Sequence, residues 1–90
     1  MPELIHEFRS QLQSRNGVRY VVLAYGELRP DGNWEGWLEF CPENALDCVR
    51  TARETTQPDR NALAYWASGL EPIYLEGALD RAQRADARGV

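Results

Sequence analysis

The sequence predicts an α+β fold: a three- to four-stranded antiparallel meander sheet followed by two C-terminal helices packed on one face. Three observations predict it. Asn16-Gly17 and Pro30-Asp31-Gly32-Asn33 bracket an alternating, apolar run from Val18 to Leu28, and both supply the positive φ that tight strand connections demand. Strand-leaning Cys48, Val49, Thr51, Thr55 and Thr56 then gather ahead of Pro58. Beyond Pro58 the apolar residues recur at helical spacing.

The first element is ambiguous by periodicity, since Leu4, Ile5, Phe8 and Leu12 fit a helix while Phe8, Ser10 and Leu12 fit a strand. The turn that follows decides for strand. A two-residue turn at Asn16-Gly17 faces Arg15 with Val18, and pairs Leu12 with Val21, Ser10 with Leu23 and Phe8 with Tyr25. The second hairpin admits two registers. A three-residue Pro30-Asp31-Gly32 loop sets Glu27 opposite Glu35, a like-charge pair, and turns Leu38 and Phe40 away from Phe8 and Leu12. A four-residue loop with Asn33 left-handed pairs Tyr25 with Leu38 and Leu23 with Phe40, extending the face already built, and is the expected register.

Residues 42 to 57 could open a helix at Pro42-Glu43-Asn44, but their threonines and Val49 favour a fourth strand from about Asp47 to Thr55. A first helix follows from Pro58, with Ala62, Leu63, Trp66 and Leu70 at helical spacing and Gly69 as its stop. A second begins near Pro72, where Leu75, Ala78, Leu79 and Ala82 form one apolar stripe and Asp80 pairs with Arg84. Residues 84–90 have no apolar anchor except Val90 and are expected to fray.

At 90 residues the chain is one domain, residues 1–90, burying about two-thirds of its unfolded surface. Nine aromatic residues, three of them Trp, and 43% apolar content are ample for a packed core. A net charge of −4 opposes binding to phosphate backbones, so neither nucleic acid nor duplex DNA is an expected partner. No stretch approaches transmembrane length and no leader pattern is visible, which points to a cytoplasmic protein with no membrane partner. Cytoplasmic thiols stay reduced, and the sequence leaves open whether Cys41 and Cys48 come close enough to bridge. With one distant histidine, His6, they lack the four ligands of a structural zinc site, and no cofactor is expected.

Three groups of residues could carry chemistry, each with a plainer structural reading. Glu35 and Glu39 flank Trp37 on one strand face, an arrangement that holds a cation or sugar against the indole, or simply a solvated polar face covering Gly26. Arg53, Thr56 and Arg60 stand just before a helix N-terminus, where backbone amides hold anions; alternatively Thr56 caps that helix and Glu54 pairs with Arg53 or Arg50. Tyr65, Trp66 and Tyr74 could stack bases, or belong to the core beside Leu63 and Leu70. His6 has no nucleophile near it in sequence and reads as an outward strand residue.

The segment Arg53-Glu54-Thr55-Thr56-Gln57-Pro58-Asp59-Arg60, with Tyr65-Trp66 and Tyr74-Leu75-Glu76-Gly77-Ala78 after it, resembles small uncharacterised bacterial proteins carrying a domain of unknown function. Trp34-Glu35-Gly36-Trp37-Leu38-Glu39-Phe40 echoes the same pattern. The resemblance brings no activity with it and favours a strand over residues 47–55. The strand, Asp31-Gly32 turn, strand and Ala45–Glu54 segment are also similar to HicB-type antitoxin domains, whose Pro-Gly-Cys loop this chain lacks.

Two helices cover one face of a small sheet. In the expected register that is the face of Phe8, Leu12, Val21, Leu23, Tyr25, Leu38 and Phe40, which leaves Tyr20, Val22, Ala24, Leu28 and Trp37 as an apolar strip in water. The expectation is therefore a non-catalytic protein-interaction domain binding a protein partner or a second copy of itself, with Trp37 as anchor beside Tyr20, Val22 and Leu28, and Glu35 and Glu39 at the rim. The alternative is a small-molecule or anion-binding protein, or an enzyme, whose curled sheet closes a pocket between Trp34, Trp37 and the helices.

Overall fold

The computed structural model describes residues 1–88. The chain forms β1 (Glu3–Glu7), β2 (Leu12–Gln13), β3 (Arg19–Leu28), β4 (Trp34–Pro42), β5 (Val49–Arg50), β6 (Thr55–Gln57), α1 (Arg60–Ser68) and α2 (Pro72–Arg88). All strands pair antiparallel, so the fold is α+β with its helices C-terminal, as the sequence predicts. β3 and β4 are the long central pair; β1 and β2 line the outer edge of β3, β5 and β6 that of β4. Four strand positions result, each edge position broken in two.

The breaks have the same form on both edges. From Glu7 to Leu12 the chain advances five positions while their partners, Leu23 and Tyr20, differ by three. From Arg50 to Thr55 it again advances five against three on β4, between Glu39 and Gly36. The surplus residues bend each edge and interrupt the row of free amides and carbonyls, which disfavours edge-to-edge pairing with another chain. Across the second break Thr51 bridges the gap, its amide donating to the Leu38 carbonyl (2.9 Å) and its buried hydroxyl accepting from the Leu38 amide (3.1 Å).

Both hairpin registers differ from expectation by one residue. In the first, Ser14 faces Val18 and the loop is Arg15-Asn16-Gly17, so Leu12 pairs with Tyr20 rather than Val21, and Phe8 lies beside Val22 rather than Tyr25. In the second, the Arg29 amide donates to the Asn33 carbonyl (2.7 Å) around Pro30-Asp31-Gly32, and Glu27 does stand opposite Glu35. Each loop places a glycine at its third position with φ near 85° (Gly17) or 88° (Gly32), and among the described residues no other residue type takes positive φ. The four-residue loop would have forced Asn33 into that region, where glycine costs less. Asp31 accepts from the Asn33 amide, which, with help from the nearby Arg29 guanidinium, lowers its pKa.

Because side chains alternate along a strand, the slip exchanges the two faces of the sheet. Tyr20, Val22, Ala24, Leu38 and Phe40 lie under the helices, and Val22, Leu38 and Phe40 are completely buried. The stripe of α2 predicted from sequence, Leu75, Ala78, Leu79 and Ala82, closes over them together with Leu12. Each large side chain buried this way stabilises the fold by about 1.5–3 kcal/mol. Gln83 of α2 donates to the Tyr20 hydroxyl (3.1 Å), leaving that polar atom paired inside the core.

α1 rests on a hole. Gly26 and Gly36 face each other across β3 and β4, and the two methyls of Leu63 fill the space their missing side chains leave. The helix starts two residues later than Pro58, and its cap is Asp59, whose carboxylate accepts from the Ala62 amide (2.8 Å); Thr56 sits exposed on β6 opposite Glu35 and caps nothing. Asp59→Ala therefore lowers stability by about 0.5–2 kcal/mol in chemical denaturation, whereas Thr56→Ala stays within about 0.5 kcal/mol.

Cys41 and Cys48, whose proximity the sequence leaves open, are bonded to each other. The strand register explains it: Phe40 pairs with Val49, so the next pair outward is Cys41 with Cys48, with Cα atoms 4.2 Å apart. Of the continuous strand expected from Asp47 to Thr55, only Val49, Arg50 and Thr55 pair as strand: residues 51–54 bend away and separate β5 from β6, which runs on to Gln57. Of the tail expected to fray over residues 84–90, positions through Arg88 continue α2, and 89 and 90 lie outside the described residues.

Candidate functional site: the open face of the sheet

The helices cover one face of the sheet, and the opposite face carries the odd-numbered residues of β3 and β4. Arg19, Val21, Leu23, Tyr25 and Glu27 run along β3, beside Glu35, Trp37, Glu39 and Cys41 on β4. Glu7 of β1 stands next to Leu23 and Leu4 next to Tyr25, while Arg50 of β5 stands next to Glu39 and Thr56 of β6 next to Glu35. Val21, Leu23 and Tyr25 are half-buried and Leu4 is 46% exposed, so an apolar ridge follows the middle of this face between charged flanks.

Trp37 belongs to that face but is only 3% exposed, because its neighbours enclose it. The Arg50 guanidinium lies 4.6 Å from the ring centroid, and Tyr25 stacks alongside with centroids 6.4 Å apart and planes 15° from parallel. The indole N–H donates to Glu39 (3.3 Å). A cation over an indole contributes about 0.5–2 kcal/mol, so Arg50 both shields Trp37 from water and fixes the first residues after the disulfide.

The opposed carboxylates of Glu27 and Glu35 are each offset by a cation. The amino-terminal ammonium stands 3.0 Å from Glu27, and Arg29 Nη1 stands 3.5 Å from Glu35. These contacts make the like-charge pairing tolerable at a partly solvated site, where its cost is small beside the core burial that the same register secures. With Asp31 of the adjoining turn, three carboxylates stand against two cations at this end of the face, a net charge of −1, and Arg19 stands at the other end.

The residues singled out from sequence are not brought together as expected. Tyr20 and Val22 lie in the core; Leu28 shares their face but emerges past it, 57% exposed. Trp37, Glu35 and Glu39 are on the open face, with Trp37 closed in by its own chain. Arg53, Thr56 and Arg60 do not form one anion site: Arg60 donates to Glu3 (3.2 Å), Asp59 occupies the helix N-terminus, and Arg53 turns to the opposite end of the edge strand. Trp34 and Trp37 project from opposite faces of β4, so no pocket is shared between them. Trp66 and Tyr74 are half-buried against the core, but Tyr65 is 84% exposed. His6 packs edge-on against Phe8, ring centroids 4.6 Å apart.

Family models, curated proteins and solved structures give no match to this chain. Among the described residues no His, Cys, Asp and Glu side chains converge as a metal-binding group, and no helix is long and apolar enough to cross a membrane. A hollow of about 350 Å³ opens between the first hairpin loop and α2, lined by Arg15, Glu76, Asp80 and Gln83 among others. Another, of about 500 Å³, lies between the Ala52-Arg53 bend and the end of α2. Val21, Leu23 and Tyr25, which sequence reasoning placed in the core, are the residues it missed for the open face. A signal for them is present: the odd positions of β3 end in Arg19 and Glu27, whereas the even positions from Tyr20 to Leu28 include no charge.

Proposed function

We propose that the chain is a non-catalytic interaction domain that pairs with a second copy of itself through the open face of its sheet. The observation that carries this reading is the apolar ridge of Val21, Leu23, Tyr25 and Leu4 on a face no helix covers. The charges favour a second copy over an unrelated partner. Arg19 marks one end of the face, and the one carboxylate in excess among Glu27, Asp31 and Glu35 over Arg29 and the amino terminus marks the other, so a two-fold axis across the strands sets each basic end against its partner's mildly acidic end. The broken edges favour face-to-face rather than edge-to-edge association. A cytoplasmic location, the reading from sequence, requires the Cys41–Cys48 bond to be transient there, since cytosolic thiols are held reduced.

Sedimentation velocity from low to high micromolar concentration tests the proposal. The wild-type chain is expected to shift from monomer to dimer, and Leu23→Arg to remain monomeric with an unchanged melting temperature at the lowest concentration. A wild-type chain that stays monomeric throughout, or a Leu23→Arg variant that dimerises equally well, overturns it.

A further inference from the structure

We propose that the hollow between the Ala52-Arg53 bend and the C-terminal half of α2 binds a dianion of the phosphomonoester class. It is a different site from the open face and does not depend on the pairing proposed for that face. Three guanidinium groups, Arg53, Arg81 and Arg84, line this hollow of about 500 Å³ with a single carboxylate, Glu54. In a chain of net charge −4 this is a local surplus of two positive charges.

The groups have distinct parts. Glu54, only 9% exposed, accepts from the Tyr74 hydroxyl and from Arg81 Nη2, each at 2.5 Å, and the Arg81 guanidinium lies 5.7 Å from the Tyr74 ring centroid. Burial first, and the bonded Glu54 carboxylate second, raise the Tyr74 pKa, so its hydroxyl remains a donor at neutral pH. Glu54 is therefore committed, and it holds Arg81 at the wall of the hollow as a positioning residue. Arg53 and Arg84 are exposed, and among the described residues no carboxylate stands within salt-bridge distance of either. Two open guanidinium forks present the planar donor geometry that phosphate oxygens accept bidentately. A phosphomonoester carries about −1.5 to −2 charge near pH 7, matching the surplus. Ala52 and Ala85 leave room at the rim for the ester's organic part.

The test is a ¹⁵N–¹H NMR titration with inorganic phosphate, phenyl phosphate and malonate, ionic strength held constant with sodium chloride. Saturable shifts are expected at Ala52–Glu54 and Arg81–Ala85 with both phosphates, malonate binding more weakly. Arg53→Gln combined with Arg84→Gln is expected to weaken phosphate binding by about tenfold or more without altering the melting temperature, because both side chains are exposed. Arg53→Lys with Arg84→Lys, keeping charge but losing the fork, is expected to fall between. Shifts that chloride alone reproduces, a Gln pair that binds as well as wild type, or tighter binding of malonate than of phosphate each overturn the assignment.

Discussion

Truncation of Leu63 to alanine is expected to lower the free energy of unfolding by about 2–5 kcal/mol, the usual cost of emptying a buried leucine site. Leu63 is 1% exposed and its methyls occupy the space over Gly26 and Gly36, so its loss leaves a hole that the sheet backbone cannot close. The converse change tests the same contact. A Cβ on Gly36 would stand 2.6 Å from Leu63 Cδ1, and one on Gly26 closer still to Cδ2 while also crowding Ile5 and the Glu35 carbonyl. Gly26→Ala and Gly36→Ala each therefore cost about 1–3 kcal/mol by overpacking. In a Leu63→Ala background the added methyl enters vacated space, and the penalty shrinks. Denaturant unfolding of the four members of each cycle, one for each glycine, gives the coupling directly, and additive effects would show that the glycines and Leu63 do not depend on each other.

Trp37→Ala is expected to destabilise the monomer by about 3 kcal/mol or more, although Trp37 lies on the face without helices. The truncation removes the ring that Arg50 covers, Tyr25 flanks and Glu39 bonds, and it leaves the Arg50 guanidinium without its partner at the end of β5. Trp37→Phe keeps most of the packing and should recover much of the loss, short of the N–H bond to Glu39. Measured at a concentration where the chain is monomeric, unaltered stability of Trp37→Ala would show that the indole serves contacts between molecules rather than the fold. This distinguishes Trp37 from Leu23, whose replacement by arginine is expected to change association and not monomer stability.

The two predictions together describe a sheet with unlike faces. On one, glycine and alanine let the helices approach closely, and the contacts are apolar. On the other, a tryptophan is sealed by charged and aromatic neighbours while the adjoining aliphatic side chains remain half in water. The arginine hollow at the end of α2 adds a third surface, whose polarity is opposite to that of the whole chain.

The sequence by itself determined the element types and their order, but not the breaks that divide each edge strand in two. Glycines in both turns marked the hairpins, the stripe Leu75, Ala78, Leu79 and Ala82 marked the buried side of α2, and the threonines of residues 51–56 marked the last edge strand. These are local signals, carried by backbone preference and by periodicity within one element. Only the tertiary structure decided the registers, because a hairpin loop of two, three or four residues satisfies local preference about equally while the choice moves every side chain to one face or the other. Burying Val22, Leu38 and Phe40 outweighed setting Glu27 opposite Glu35, and in the registers so chosen Gly17 and Gly32 take the positive φ that each three-residue loop requires. The facing of Cys41 and Cys48 and the seating of Leu63 over two glycines follow from that register. So does the meeting of Arg53 with Arg81 and Arg84, since contacts between residues so far apart in the chain exist only once strand and helix have been placed against each other.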